Sequence, residues 1–264
     1  MAVLEIDRKT AYTEFENTFD ELYEHSRERT EKVSKRRQWW ICRPIDDIMN
    51  AAFDTITELT AGYYKGRETE KNAIVKEAIR LLESLEKPLL IFWNVEQYEF
   101  RRMVNWVEII RRELRLLNGL LPEEEKTEIK LYTVLDYSVI NKMEFLSNMT
   151  KLHKYCYGKI IHADKAMKYT TSALLSRLID EALYQVIKAN RKIPTTKREY
   201  EIRKESISKA ITSLRKMNRP MVAYFNIMGY SEQIMLEWSD MLVKEIRLLG
   251  ALQRSDKQRF GTLE

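Results

Sequence analysis

Three residues near the middle of the chain have the chemistry of metal ligands. His153, Cys156 and His162 lie close together, and the first two are three residues apart, so they share one side of a predicted helix. No fourth ligand follows at the spacing of a zinc finger, and none of the three histidines has the glutamate of a Glu-x-x-His di-iron motif before it. We interpret the group as one partly buried helical face, and predict no metal site and no cofactor.

Other catalytic patterns are weak. Asp46 and Asp47 are adjacent and point to different faces of a helix; beside Pro44 they are typical first-turn acids rather than an acid–base pair. The chain has no Gly-rich phosphate loop. We therefore predict no catalytic residues and no enzyme. An active site made of scattered polar residues on several helices is the alternative, and the spacing does not support it.

The tryptophans offer faces on which nucleobases could stack. Trp106 and Trp238 lie on the apolar stripes of their predicted helices, which favours core packing instead. Trp39 and Trp40 follow a Lys-Arg-Arg triplet, where stacking on nucleic acid competes with capping the end of a bundle. We favour the cap.

The helices that position these residues occur twice in the sequence. Each of the following residues recurs with the same identity 132 positions later: Pro88, Asn94, Tyr98, Met103, Trp106, Glu113 and Arg115 recur as Pro220, Asn226, Tyr230, Met235, Trp238, Glu245 and Arg247. Upstream, residues 48–56 match 179–187 at a spacing of 131. The chain is a tandem duplication.

The repeated unit is helical. Only 7 Gly and 5 Pro punctuate 264 residues, and apolar residues recur at i, i+3, i+4 and i+7 in four stretches of the first half, with the same scheme in the second. We predict an all-α fold of two tandem antiparallel four-helix bundles. The predicted segments are a first acidic repeat (1–125), a linker (126–132), a second basic repeat (133–252) and a flexible polar tail (253–264). Pro88 and Pro220 lie within the third stripe of each repeat, and the pattern leaves open whether the helix bends or breaks there.

The two repeats carry opposite charge. Residues 1–132 hold 22 Lys or Arg and 26 Asp or Glu, a balance of −4, whereas residues 133–264 hold 23 and 14, a balance of +9. The excess of Lys and Arg in 188–204 and 215–219 predicts a phosphate-binding surface, with a solvated face as the alternative. The predicted nucleic-acid-binding residues are Lys188, Arg191, Lys192, Lys197, Arg198, Lys204, Arg215, Lys216 and Arg219.

Several helix ends resemble a known family. They are Ile187, Ala189, Asn190 and Arg191; then Leu214 and Arg215; then Arg247, Leu248, Leu249 and Gly250. The first repeat has Arg115, Leu116, Leu117 and Gly119, but Leu59 at the position of Asn190. The second half is similar to a family of small four-helix bundles that includes the accessory variability determinant of diversity-generating retroelements and the proteins encoded by intervening sequences of large-subunit ribosomal RNA genes.

The resemblance implies a non-enzymatic bundle that binds RNA or DNA and a reverse transcriptase, and that assists template-primed cDNA synthesis. It also implies a ring of five bundles. Because each chain contributes two bundles, we expect a monomer or an assembly with an even number of bundles instead. A structural or protein-interaction scaffold without nucleic-acid binding is the alternative function. With no leader at Met1, two cysteines and no long apolar run, we expect a cytoplasmic protein without a membrane partner.

Overall fold

The computed structural model describes residues 8–62, 64, 66–129, 140 and 142–263. Within these ranges the regular structure is helical and includes no strand, so the all-α prediction is confirmed. The chain divides into two compact units, Met1–Val134 and Leu135–Glu264.

The first unit is a four-helix bundle. It contains α1 (Arg8–Thr30), α2 (Lys35–Arg37), α3 (Arg43–Ala61), α4 (Glu68–Ser84), α5 (Glu86–Glu96) and α6 (Phe100–Leu120). A π-helical turn, Gln38–Cys42, joins α2 to α3, and a 3-10 turn, Glu123–Glu125, follows α6. Helix α1 packs against α3 and α6, and α4 packs against the same two helices, which closes the bundle.

The second unit repeats this arrangement. It contains α7 (Glu144–Ile160), α8 (Lys165–Lys168), α9 (Thr171–Ala189), α10 (Lys197–Met228) and α11 (Glu232–Phe260). Helices α7 and α10 each pack against both α9 and α11. Consecutive long helices run antiparallel, as their short connections require. Two tandem antiparallel four-helix bundles were predicted, and the structure contains them.

Each bundle is organised around one tryptophan. Trp106 is fully buried, with the Phe92 ring edge-on at 5.5 Å and the Tyr98 ring at 6.5 Å. At a spacing of 132, Trp238 is equally buried, and Tyr224 takes the place of Phe92, edge-on at 6.3 Å. The interpretation of these tryptophans as core residues is confirmed.

The other tryptophan pair lies beside the π-helical turn. Trp40 is buried, and the Arg43 guanidinium lies 4.2 Å from the centre of the partly exposed Trp39 ring. These positions agree with the interpretation that Trp39 and Trp40 cap the end of a bundle.

The two equivalent prolines have different effects. In the first bundle, α4 ends at Ser84 and α5 begins at Glu86. Pro88 has no N–H and therefore cannot donate to the carbonyl of Ser84, and the helix breaks at that carbonyl. In the second bundle, Pro220 lies inside the continuous helix α10. The question left open by the sequence therefore has a different answer in each repeat.

The described part of the predicted linker is fixed to the first bundle. The Thr127 backbone N–H donates to Asn118 Oδ1 at 3.0 Å, and Asn118 Nδ2 donates to the Thr127 carbonyl at 3.2 Å. Just before it, the Glu125 carboxylate accepts from Asn72 Nδ2 at 2.9 Å and Lys76 Nζ at 2.8 Å. The remainder of the predicted linker, 130–132, lies outside the described residues.

The predicted flexible tail is wrong as far as Phe260, because α11 continues to that residue. Asp256 is buried in an ion pair with Arg203, and the Phe260 ring packs 6.3 Å from the Tyr200 ring. Asp256 faces the core and interrupts the apolar stripe, so a prediction from apolar residues alone ends the helix too early.

Candidate nucleic-acid interface

A buried arginine joins three helix ends of the second bundle. Arg203, in the second turn of α10, donates from Nε to Asp256 Oδ2 at 2.6 Å and from Nη1 to the Ala189 carbonyl at 2.5 Å. Its side chain is 9% exposed and that of Asp256 is 2% exposed. The guanidinium therefore holds the end of α9, the start of α10 and the last turns of α11 together.

This arrangement brings together cations that are far apart in the sequence. Five of the predicted residues lie at the junction of α9 and α10, in the last turn of α9, the loop and the first turn of α10. Helix α11 ends beside this junction with three cations that sequence reasoning missed. We call the following side chains the basic end of the second bundle: Lys188, Arg191, Lys192, Lys197, Arg198, Arg254, Lys257 and Arg259. The missed residues were assigned to a tail, although basic residues in a final turn are a common mark of a helix C-terminus.

Most of the basic end is not neutralised. Lys192 pairs with Glu199, and nearby Lys204 pairs with Glu201 at 3.2 Å on an exposed surface. Other members are exposed and form no ion pair among the described residues: Lys188, Lys197, Arg198, Arg254 and Lys257. Uncompensated like charges at one end of a bundle repel one another and attract a polyanion.

The N-terminus of α10 is already capped by the protein itself. The Glu199 carboxylate accepts from the Thr195 backbone N–H and from Thr195 Oγ1, each at 2.8 Å, and Thr196 Oγ1 accepts from the Glu199 backbone N–H. Lys192, together with these Thr195 donors, lowers the pKa of Glu199 to about 2. The carboxylate stays ionised at neutral pH, so this helix terminus is already occupied by an anion of the protein itself.

The structure separates the remaining predicted residues from the basic end. Arg215, Lys216 and Arg219 are exposed in the middle of α10. Seventeen residues of one helix separate Arg198 from Arg215, which is about 26 Å at the α-helical rise. Lys216 lines an open groove between α9 and α10 together with Arg177. The predicted site therefore divides into one group at the junction of α9 and α10 and a second group in the middle of α10.

The candidate metal ligands have other roles. His153 is fully buried, and its Nε2 lies 2.9 Å from Asp180 Oδ1, which also accepts from the Tyr157 hydroxyl at 3.0 Å. Cys156 is buried beside them, and burial raises the pKa of its thiol well above the ordinary value. Across the described residues, no group of three His, Cys, Asp or Glu side chains is placed to hold a metal ion. The His153–Asp180–Tyr157 contacts join α7 to α9.

The two adjacent aspartates have different surroundings. Asp47 pairs with Arg43 at 3.5 Å on the surface, whereas burial raises the pKa of the partly buried Asp46. Burial likewise raises the pKa of the Cys42 thiol to about 12, so this cysteine is a poor nucleophile at neutral pH.

The fold and the site define an all-α protein of two bundles, the second of which has one strongly cationic end. No protein-family model, curated protein or solved structure matches the chain. In the part of the chain that the structure describes, no helix has the length and apolar character needed to cross a membrane.

Proposed function

We propose that the protein is a non-enzymatic accessory factor that binds RNA or DNA through the phosphate backbone, and that its second bundle makes this contact. One observation carries the proposal: the Arg203 contacts gather cations from three helices at one end of the bundle, and most of them form no ion pair among the described residues. Such a surface gains free energy when a polyanion releases its counterions.

The shape of the site supports backbone recognition. Two aromatic residues at the basic end, Tyr200 and Phe260, are buried against each other, and a third, the partly buried Tyr184, lies 5.8 Å from the Arg191 guanidinium. Phosphate contacts position a nucleic acid but carry little sequence information. We therefore propose binding with slight sequence preference.

The reverse-transcriptase partner and the role in a retroelement rest on the resemblance of the helix ends. The acidic first repeat is the candidate surface for this partner, because Phe53 is exposed although it packs against two rings of α1. The acids next to these rings in the sequence, Asp20 and Asp54, are exposed and have no ion pair among the described residues. Any assembly of whole chains has an even number of bundles. Purification from the native host, nuclease treatment and identification of the retained proteins tests this part.

Nucleic-acid binding is tested with the full chain by fluorescence anisotropy across a salt series. The variant replaces Lys188, Lys197 and Arg198 by Gln; Lys192 is kept because it pairs with Glu199. We expect weaker binding, and a slope of log K against log salt that falls by up to about 0.9 for each lost phosphate contact on duplex, or about 0.7 on single strands.

The matched control removes the same charge from the first repeat. It replaces Lys32, Lys35 and Arg101, which are exposed and have no ion pair among the described residues. We expect it to bind like the unmodified chain. Equal losses in both variants would show a net-charge effect without a site, and absence of salt-dependent binding in the unmodified chain would favour the interaction scaffold.

A further inference from the structure

The most exposed large apolar side chain of the described residues lies inside the basic end. Ile193 is 68% exposed, in the loop between α9 and α10. Lys192 precedes it, and Lys197 and Arg198 follow within five residues. Solvent exposure of an isoleucine forgoes the free energy that its burial would release.

The loop that carries Ile193 is tied on both sides. Lys192 pairs with Glu199, and Thr195 donates to the same carboxylate through its backbone N–H and its hydroxyl. Pro194 is buried, and a proline restricts the residue before it to extended backbone. The isoleucine is therefore presented outward by a loop whose neighbouring residues are fixed.

The first repeat has no counterpart of this feature. At the spacing of 131 that relates the preceding helices, Gly62 stands at the position of Ile193, and Thr60 and Ala61 stand at those of Arg191 and Lys192. The exposed apolar side chain and the two cations directly before it are absent from the first repeat, although Arg67 stands at the position of Arg198.

We propose that Ile193 is an apolar wedge that contacts nucleobases at an opened base step while the surrounding cations hold the phosphates on either side. The inference rests on the proposed function and adds the kind of ligand: a helical nucleic acid with a step that can unstack. Isoleucine is among the side chains that proteins insert between base steps, and phosphate contacts offset the cost of unstacking. The wedge is aliphatic because the large apolar side chain exposed in this loop is that of Ile193.

The test uses the full chain and a short duplex with a central 2-aminopurine, whose fluorescence rises when its base unstacks. Ile193→Ser removes the apolar contact without changing charge. Ile227→Ser is the matched control: Ile227 is 62% exposed and lies near the other end of α10, about 45 Å from its start. Thermal melts of both variants establish that they remain folded.

We expect Ile193→Ser to bind about tenfold more weakly with an unchanged salt slope, and to lose the fluorescence rise. The Ile227→Ser variant should behave like the unmodified chain. Unchanged affinity and fluorescence for Ile193→Ser, with normal binding by the unmodified chain, would refute the wedge and leave the proposed function standing. No binding by the unmodified chain would refute the proposed function itself.

A second arm measures binding to vesicles containing anionic lipid, since a basic loop with an exposed isoleucine also suits a lipid surface. We expect Ile193→Ser and the unmodified chain to behave alike in this arm. Loss of vesicle binding in Ile193→Ser, together with unchanged nucleic-acid binding, would overturn the proposal in favour of membrane contact.

Discussion

Glu113 and Glu245 occupy the same position in the two repeats, 132 residues apart, and both are 0% exposed. Asn148 Nδ2 donates to Glu245 Oε2 at 2.9 Å, whereas neither carboxyl oxygen of Glu113 has a hydrogen-bond partner within the described structure. Burial raises the pKa of Glu245 to about 8 and that of Glu113 well above its ordinary value. Burial thus favours the protonated carboxyl group in each bundle, and that of Glu245 is protonated at neutral pH.

These carboxyl groups make the stability of the protein fall as pH rises. From about pH 4.5 to pH 8, folded Glu245 holds a proton that its unfolded form has released, so unfolding becomes easier across this window. We expect Glu245→Gln to raise the free energy of unfolding of the second bundle at pH 9 by about 2–4 kcal/mol, with little change at pH 4.5. Urea titrations at both pH values measure the difference. Glu232→Gln, at the exposed start of α11, is the control, and equal pH dependence in all three proteins would contradict the prediction.

The buried Arg203–Asp256 pair is expected to be a principal support of the basic end. Asp256→Asn leaves the guanidinium without its charged partner in a buried position, which costs about 3–5 kcal/mol. The exposed pair between Lys209 and Glu205, 2.7 Å apart on the same helix, provides the comparison: Lys209→Gln should cost no more than about 1 kcal/mol. Chemical denaturation of the full chain compares them. Similar losses for both variants would mean that Arg203 does not hold the three helix ends.

The cations of α11 are expected to take part in binding although they lie far from the loop in sequence. Replacing Arg254, Lys257 and Arg259 by Gln should weaken nucleic-acid binding and lower the salt slope, by up to about 0.9 per duplex phosphate contact. The same treatment of Arg215, Lys216 and Arg219, about 26 Å along α10 from Arg198, tests whether the ligand extends down the helix. Anisotropy titrations of the two variants decide between a compact site and an extended one. An α11 variant with unchanged slope would remove that helix from the site.

Ser26 is expected to stabilise the first bundle through its contact with a core tryptophan. Its hydroxyl accepts from Trp106 Nε1 at 3.0 Å and donates to the Leu22 carbonyl at 2.8 Å. Ser26→Ala leaves the buried indole N–H without a partner and should cost about 1–3 kcal/mol. Ser208→Ala, which removes an exposed acceptor of Gln253, should stay within about 0.5 kcal/mol. Thermal melts test the contrast, and a neutral Ser26→Ala would show that the indole finds another acceptor.

The sequence predicts the core well because core positions follow a local rule. Trp106 and Trp238 lie on apolar stripes with helical spacing, and duplication supplies each stripe twice. The stripe does not predict whether a proline breaks its helix: Pro88 coincides with a break, whereas α10 continues through Pro220.

The basic end is only partly predictable, because its assembly depends on a contact across 53 residues. Clustering of Lys and Arg in the loop is visible in the sequence. No local sequence pattern predicts the pairing of Asp256 with Arg203. This pairing extends α11 and brings its cations to the loop. The role of Glu199 is not predictable from the sequence either, because its contacts with Thr195 and Lys192 depend on the fold of the loop.

The junction made by Arg203 can form only late in the synthesis of the chain. A chain leaving the ribosome presents the loop residues Lys188 to Arg198 first, but the carboxylate of Asp256 and the cations of α11 follow only after more than fifty further residues. Until then, Arg203 lacks its acidic partner and the third helix end is missing. Under the proposed function, the nucleic-acid-binding site of a nascent chain is incomplete, and tight binding begins when synthesis has passed Arg259. The order of residues along the chain would thereby keep the protein from capturing the messenger and ribosomal RNA beside which it is made.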